Sequence, residues 1–370
     1  MIPQLEYMEL VARKNLDHFL KQGYATAGHN GPHGHTDTPV RNTAHYLIIY
    51  SYLYRQYNEQ AFADVCATFY EYLKMKQGES KSGAIQCMVS EQFDHLNGLI
   101  GQAWVIEALI YYYETFHVDE AVAIAEKIFR AQKYNWDKHL WHRIELDGTD
   151  KGIDVTSNHN VWFAGCSYKL AEYCNAIDID AIIKDFLENG QHVILNTYKS
   201  GLIVHPVVCD DPLLKQGQWK EIVRALLSPF KAFYPRKLDK HYMDYGYHIY
   251  DLYGYSILLN QYGGMSIFGS DNFKKALSFG SNTEILLRLN NVSNPAKTNV
   301  YFYPYNSPAF EWPFVAKVNG FISEEDLRLL WANQLKIMYD ENTGEMTRNN
   351  PDIETWNART YEIIRFVEAQ

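Results

Sequence analysis

The feature that most constrains this chain is a recurrence of helix pairs. A helix rich in tyrosine and tryptophan follows a polar loop that contains asparagine, histidine or glycine, and a more charged amphipathic helix comes next. The pattern returns at a spacing of roughly forty to fifty residues, whereas the alternation typical of strands is scarce. A helix pair that cannot bury its apolar faces alone must stack on its neighbours or close into a ring with them.

Hydrophobic periodicity predicts where these helices lie. The predicted helices cover residues 3–22, 41–57, 59–77, 97–116, 118–133, 160–175, 178–198, 216–232, 245–262, 271–278, 308–318, 323–338 and 356–369. About six pairs favour closure into an all-α (α/α)6 toroid, with aromatic helices inside and charged helices outside. An open helical solenoid is the alternative. Because composition does not divide the chain, we expect one toroid domain over residues 1–370.

Charge and composition exclude several classes of protein. A formal net charge of −10 argues against nucleic-acid binding, which needs clustered lysine and arginine. Aromatic content of 15% with 29 tyrosines fits either a sugar-binding groove or a tyrosine-rich core. Without a secretory segment or a long apolar run, we expect a cytoplasmic protein, although a removed signal peptide would leave the same pattern. An odd number of cysteines without CxxC spacing predicts neither disulfides nor structural zinc: Cys66, Cys87, Cys166, Cys174 and Cys209.

A toroid places the loops that enter its inner helices at one end. The polar residues before each inner helix should therefore meet at one mouth of the ring. These regions are residues 29–42, 91–97, 154–160, 244–251, 303–312 and 356–361. Each contains side chains that can hydrogen-bond a sugar.

Two groups of residues in these regions could have either a functional or a purely structural role. His33 and His35, with Asp37 nearby, could share a metal ion, but histidines in a glycine- and proline-rich loop also bond backbone and solvent. Their spacing matches no recognised site, so we predict no metal and no other cofactor. Carboxylates near helix starts could supply the acid and base of a glycoside hydrolase, or could simply be helix caps: Asp94, Asp154, Asp244, Asp251 and Glu311.

A third constellation suits β-elimination at a uronic acid. Asn158 and His159 can donate hydrogen bonds to the substrate carboxylate and so acidify the neighbouring carbon. Tyr247, if positive charge lowers its pKa, can remove the proton and then protonate the leaving oxygen. The alternative is that these side chains are packed residues of aromatic helices.

Two short motifs resemble lyase elements. Asn158-His159-x-x-Trp162 resembles the Asn-Asn-His-Ser-Tyr-Trp element of toroid alginate lyases and is similar to the Asn-His elements of heparinase-like lyases. Tyr247-His248-x-Tyr250 resembles the later Tyr-His helix of those enzymes. The resemblance implies a uronate-polysaccharide lyase in which Asn158 and His159 bind the carboxylate and Tyr247 or Tyr250 is the catalytic phenol.

The sequence differs from these lyase motifs at several positions. Ser157, Asn160 and Val161 replace motif residues, and no arginine lies shortly before Tyr247, the nearest being Arg236. The helix-pair plan also resembles that of six-hairpin glycoside hydrolases and of the sugar epimerases built on the same toroid, whose typical motifs are not evident.

The sequence therefore favours a lyase acting on a uronic-acid-containing poly- or oligosaccharide. The alternatives are a six-hairpin glycoside hydrolase and a non-catalytic helical-repeat scaffold that binds a glycan or a protein. We expect a saccharide partner and neither nucleic acid nor membrane, while the oligomeric state stays open. The predicted catalytic residues are Tyr247, His159, Asn158, His248, Arg359 and Asp94. The predicted substrate-binding residues are Trp162, Trp312, Trp356, Tyr250, His35, Arg41, Glu311 and Tyr305.

Overall fold

The computed structural model describes the chain in five stretches. These are residues 2–89, 94–190, 194–205, 242–288 and 299–369. The predicted helix 216–232, Cys209, Arg236 and the predicted loop residues 91–93 lie outside the described residues.

Six helical segments form a closed inner ring. Each packs against the next, and the last returns to the first. In chain order they are Pro39–Tyr57, Gly98–Phe116, Ser157–Tyr173, Tyr242–Tyr262, Pro308–Val318 and the consecutive pair Ile353–Arg359 and Glu362–Glu368. This ring confirms the predicted all-α toroid and excludes the open solenoid.

A second layer of helices surrounds the ring. Its helices are Gln4–Gln22, Gln60–Gly78, Asp119–Ala131, Ile177–Asp185, Asp271–Gly280 and Glu324–Met338. The N-terminal helix packs against the last inner segment as well as the first, so it closes the outer layer. Two short helices, Ser266–Gly269 and Thr283–Arg288, were not predicted from the sequence. The predicted helix 178–198 ends early, at Asp185, and a π-helical turn Phe186–Gly190 follows it.

The inner and outer helices differ in how much of their surface is buried, as the sequence pattern predicts. Every residue from Gly98 to Tyr112 is buried, because this inner helix has neighbours on all sides. The outer helix Asp119–Ala131 buries one face instead, with Ala121, Ala125 and Ile128 at helical spacing. Residues in the left-handed backbone conformation allow tight turns from an inner helix to an outer helix. Asn58, whose φ is 53°, is an example.

A small sheet interrupts the helical plan. Strands Tyr134–Asn135, Leu140–Ile144 and Asp150–Ile153 form an antiparallel sheet in that order. Trp141 anchors it in the core against Phe163 and Phe186, at ring distances of 5.4 Å and 5.0 Å. The sheet runs directly into the loop before the third inner helix, and it carries Arg143 to the mouth of the ring.

Ion pairs fill the interior of the ring below that mouth. Arg365 donates to Glu107 at 2.9 Å from Nε, joining the last inner segment to the second inner helix. Tyr253 donates its hydroxyl hydrogen to the backbone oxygen of Glu362 at 2.8 Å. The ring is therefore a packed core with an opening at one end. Across the described stretches of the chain, none of the helices is long and apolar enough to cross a membrane.

Candidate active site

A cavity of about 360 Å³ lies where the inner helices begin. The volume falls in the range of small-molecule sites. The first five of the six predicted loop regions contribute to its wall. The lining residues are Asn30, His33, His35, Met88, Asp94, Asn97, Gly98, Ile100, Trp104, Arg143, Val155, Thr156, Asn158, His159, His205, Met243, Tyr247, Tyr250 and Tyr305.

His159 and Asp154 form a hydrogen-bonded pair at the start of the third inner helix. His159 Nδ1 lies 2.7 Å from Asp154 Oδ2, which also accepts from the backbone N–H of Leu99 at 3.1 Å. Burial alone would raise the pKa of Asp154, but the contacts with His159, Arg143 and the Thr156 N–H hold it below its ordinary value. The carboxylate therefore stays charged and fixes the imidazole, leaving Nε2 for the cavity.

Gly98 allows the second inner helix to approach this pair. Its φ is +58°, and a Cβ there would lie 2.2 Å from His159 Nδ1 and 2.6 Å from Asp154 Oδ2. Any side chain would therefore collide with the pair in a conformation that already disfavours it.

Asp94 and Arg143 form the adjoining wall. Asp94 Oδ1 accepts from the N–H groups of Leu96 and Gly98 at 3.1 Å and 2.7 Å, and Oδ2 accepts from Arg143 Nη1 at 3.1 Å. Asp94 is thus an N-terminal capping carboxylate that also holds an arginine. Within the described residues, Arg143 Nε is buried without a hydrogen-bond partner, as is Oδ1 of Asn158, which also lines the cavity.

Tyr247 lies between two imidazoles. Its hydroxyl is 2.9 Å from His33 Nε2, and its ring stacks on His205 with centroids 3.9 Å apart. Burial, followed by electrostatic repulsion between the imidazolium forms of His33 and His35, lowers the pKa of His33 to about 4. His33 is therefore neutral at neutral pH and can share a hydrogen bond with the phenol.

Aromatic rings form the floor of the cavity. Trp104 Nε1 donates to the Tyr250 hydroxyl at 3.2 Å, and Tyr305 donates its hydroxyl hydrogen to Asn30 Oδ1 at 2.5 Å. Behind them, Arg41 lies 4.3 Å from the Trp104 ring and Arg359 lies 4.8 Å from the Tyr250 ring. The floor thus offers flat apolar faces backed by buried cations.

Half of the predicted site residues line this cavity. The structure brings together Tyr247, His159, Asn158, Asp94, Tyr250, His35 and Tyr305. The other half lie in the core or behind the floor: His248, Arg359, Trp162, Trp312, Trp356, Arg41 and Glu311.

The structure corrects the prediction that three tryptophans stack on sugar rings. Trp162 donates its Nε1–H to Tyr250 O at 3.0 Å and stacks on Tyr253, and Trp312 donates to Gly280 O at 3.0 Å. Trp356 packs edge-on against Tyr7, with centroids 5.9 Å apart. All three indoles hold helices together and do not reach a bound sugar.

The predicted polarising groups also lie away from the cavity. Arg359 donates to Glu311 and Glu362 at 2.8 Å, so its charge and that of Glu311 serve a buried ion cluster. Arg41 donates from Nη1 to Asp37 at 3.0 Å and reaches the cavity only through the rings in front of it. These placements correct the expectation that Arg359, Arg41 and Glu311 contact the substrate.

His248 is a core histidine. Its Nδ1 accepts from the N–H of Ile203 at 3.2 Å, and its Nε2 donates to Ala276 O at 3.1 Å, so neither nitrogen is free for catalysis. Burial lowers its pKa to about 3.

This burial predicts a pH dependence of stability. The folded protein binds the His248 proton less readily than the unfolded chain, whose pKa is near 6.5, so stability falls as pH drops from about 6.5 toward 3. The limiting slope is about 1.4 kcal/mol per pH unit for one group. We expect His248→Gln to flatten the curve of melting temperature against pH between pH 7 and pH 4. Parallel curves for the two proteins would contradict this assignment.

Burial opposes the predicted activation of the phenols. Burial raises the pKa of Tyr247 and of Tyr250 well above the ordinary value, and the nearby charge of Arg359 offsets only part of that effect. Both phenols therefore stay protonated at neutral pH. They can donate hydrogen bonds but cannot serve as the base of an elimination.

Two of the carboxylates proposed for the hydrolase alternative, Asp94 and Asp154, accept hydrogen bonds from the consecutive N–H groups of Gly98 and Leu99, so they lie close together. Among the described carboxylates proposed for that role, Asp94 lines the cavity, whereas Asp154 lies behind His159 and Glu311 is fully buried beside Arg359. No group of three or more metal-ligating side chains occurs in the described residues.

Three polar or aromatic cavity residues lie outside the loop regions that the sequence predicted. Arg143 lies on a short strand, His205 follows an isolated β-bridge, and Trp104 is one aromatic residue among many on its helix. Asp154 was considered as a hydrolytic carboxylate and not as the partner of His159. A His five residues after an Asp at a helix start was the available signal for that pair.

Comparisons with known proteins fit this fold and cavity. The chain is 29% identical over 350 residues to archaeal glycosylation protein Q of Haloferax volcanii, covering 93% of this chain and 92% of that protein. No protein-family model matches the chain.

Solved structures match over nearly the whole chain. A sugar epimerase from a ruminal bacterium gives a TM-score of 0.60 at 13% identity and covers 100% of both chains. Cellobiose 2-epimerase from Bacillus thermoamylovorans gives 0.61 at 12% identity, covering 96% of this chain and 99% of the other. A D-mannose isomerase gives 0.59 at 12% identity, covering 97% and 98%. The fold is therefore the (α/α)6 toroid of carbohydrate-processing enzymes.

Proposed function

We propose that this protein is a sugar epimerase or isomerase that uses His159 to move a proton at the carbon beside a sugar carbonyl. The observation that carries the proposal is the His159 and Asp154 pair, with Nδ1 and Oδ2 2.7 Å apart at the cavity wall. A buried carboxylate that orients an imidazole and stabilises its protonated form is the arrangement of a general base. The solved structures with this fold include sugar epimerases and an isomerase, which supports the same class of chemistry.

Donors around His159 suit the enediolate that proton removal creates. The negative charge develops on the former carbonyl oxygen, where neutral hydrogen-bond donors stabilise it. Tyr247 stays protonated and lines the cavity, and the Asn158 side chain, which also lines it, carries an amide NH2 group that can donate. We assign the carbonyl oxygen to these two donors, so Tyr247 acts as a donor and not as the base.

The aromatic floor suits a sugar ring or chain. Trp104, Tyr250 and Tyr305 present flat faces, and the polar wall opposite the apolar residues Met88 and Met243 offers hydroxyl partners. The similarity to a glycosylation protein supports a substrate from the sugar supply of protein glycosylation.

Exchange with heavy water tests the proposal. Purified protein is incubated in D2O with unphosphorylated aldoses and their disaccharides, among them glucose, mannose, galactose and cellobiose. We expect loss of the C2 proton signal in NMR and the appearance of a C2 epimer or a ketose. A new absorbance near 235 nm with uronate glycans, or new reducing ends without exchange, would favour elimination or hydrolysis and overturn the proposal.

A further inference from the structure

We propose that residues 28–37 form a strap across the mouth of the ring, and that this strap must lift from the cavity before a ligand can enter or leave. The structure shows the strap in its closed position, where it contacts several segments of the cavity wall. The inference goes beyond the proposed function, because it concerns access to the cavity and holds for any ligand that binds there.

The strap is a short hairpin whose two ends are tied together. The backbone N–H of Asp37 donates to Gly28 O at 3.2 Å, and the N–H of Asn30 donates to His35 O at 2.7 Å. Asp37 is buried and accepts a hydrogen bond from Arg41 Nη1 at 3.0 Å. Because its own backbone bonds hold it together, the strap can move as one unit about its base.

The base of the strap is fixed against the last inner segment. A Cβ at Gly28 would lie 2.1 Å from Thr355 Oγ1, so the two backbones pack closely there. The N–H of His29 donates to Asp352 Oδ2 at 3.1 Å, and His29 Nε2 lies 3.1 Å from Pro351 O. These contacts define the end about which the strap would pivot.

The tip of the strap reaches three other segments of the ring. Asn30 Nδ2 donates to Asn97 Oδ1 at 3.4 Å, before the second inner helix. Asn30 Oδ1 accepts from the Tyr305 hydroxyl at 2.5 Å, before the fifth. His33 Nε2 lies 2.9 Å from the hydroxyl of Tyr247, on the fourth. A loop that starts at the sixth segment and contacts the second, fourth and fifth crosses the mouth.

The strap occupies polar groups of the cavity itself. Asn97, Tyr247 and Tyr305 all line the cavity, so the strap holds side chains that a bound sugar would use. Tyr247 is among them, and it is a donor that we assign to the sugar carbonyl oxygen. The bonds that hold the tip are polar side-chain contacts that are only partly buried, so water or a ligand can replace them. Opening therefore requires no disruption of the ring.

Gly31 is the point at which the strap lies directly on the wall. Its φ is +42°, and a Cβ there would lie 2.2 Å from Tyr305 Cδ2. Gly34 belongs to the same strap and has a φ of +68°, but a Cβ there would meet nothing within 4 Å. Alanine is strained at both positions, whereas only Gly31→Ala collides with the wall. The two variants therefore separate loss of the closed position from strain within the strap.

Chemical modification of His159 tests the strap. Diethyl pyrocarbonate reacts with accessible imidazoles, and mass spectrometry of peptides gives the rate at His159, which lines the cavity that the strap crosses. We expect Gly31→Ala to raise this rate about tenfold, because the collision favours the open position, and Gly34→Ala to change it by less than about twofold. The core residue His248 should stay unmodified in every variant, which verifies that the ring is folded.

Asn30→Ala provides a second variant without a collision. It removes the bonds to Asn97 and Tyr305, so we expect the rate at His159 to rise by about threefold or more. Wild-type rates in both Gly31→Ala and Asn30→Ala would overturn the inference, as would an equal rise in Gly31→Ala and Gly34→Ala. The assay contains no sugar. If the wild type exchanges no C2 proton of a sugar, the proposed function fails while the modification rates still decide the strap.

Discussion

Replacing His159 with asparagine is expected to lower the rate of C2 proton exchange by about 10³-fold, the usual contribution of a positioned general base. The protein should remain folded, because His159 is partly open to the cavity and, within the described part of the chain, its imidazole hydrogen-bonds Asp154. The KM for the sugar should change little, since the aromatic floor and the Asn158 amide stay in place. Initial rates of deuterium incorporation, followed by NMR, measure the effect.

The Asp154→Asn variant tests the carboxylate, which orients His159, separately from the imidazole, which takes the proton. The imidazole is then present, but the charge that stabilises its protonated form is gone, so we expect a loss of about 10²-fold in kcat, the lower end of what general base catalysis contributes. His142 and Asp150 provide a matched control, because they form a histidine–carboxylate pair at 2.9 Å on the small sheet, outside the cavity. His142→Gln should leave the exchange rate unchanged. Equal rates in His159→Asn and the wild type would remove His159 from the mechanism.

The ring could be predicted from the sequence because each of its elements carries a local signal. The inner helix Gly98–Phe116 is apolar on every face, whereas the outer helix Asp119–Ala131 is apolar on one. Once helices of these two kinds alternate, closure places the loops before the inner helices at one end. The convergence of His35, Asp94 and His159 on one cavity follows from that topology alone.

The roles of single residues could not be predicted in the same way. A tryptophan on an inner helix has the same spacing whether it faces the cavity or the neighbouring helix, so Trp104 and Trp162 are indistinguishable in the sequence. The pKa of Tyr247 depends on burial by distant segments, which no local pattern records. His205 comes from a stretch with no helical period, and Asp251, whose Oδ2 lies 3.7 Å from His205 Nδ1, lies on the fourth inner helix.

Replacing Arg359 with methionine is expected to destabilise the folded protein by about 3–5 kcal/mol, the usual cost of removing one partner from a buried ion cluster. Arg359 also donates to Tyr305 O and Asn306 Oδ1, both at 2.7 Å, so its guanidinium is satisfied on every side. Without it, Glu311 and Glu362 remain buried and lose the guanidinium that donates to both. Burial already raises the pKa of both carboxyls, so they would take up protons on loss of the arginine.

The matched control is Arg130→Met. Arg130 also pairs with two carboxylates, Glu126 and Asp178, but its side chain is 43% exposed, so its loss should cost about 1 kcal/mol or less. Chemical denaturation gives both values. Adding Glu311→Gln and Glu362→Gln to Arg359→Met should recover part of the loss, because neutral amides replace two carboxyl groups that must otherwise take up protons to stay buried. If Arg359→Met costs no more than Arg130→Met, the cluster behind the floor is not what holds the last inner segment against its neighbours.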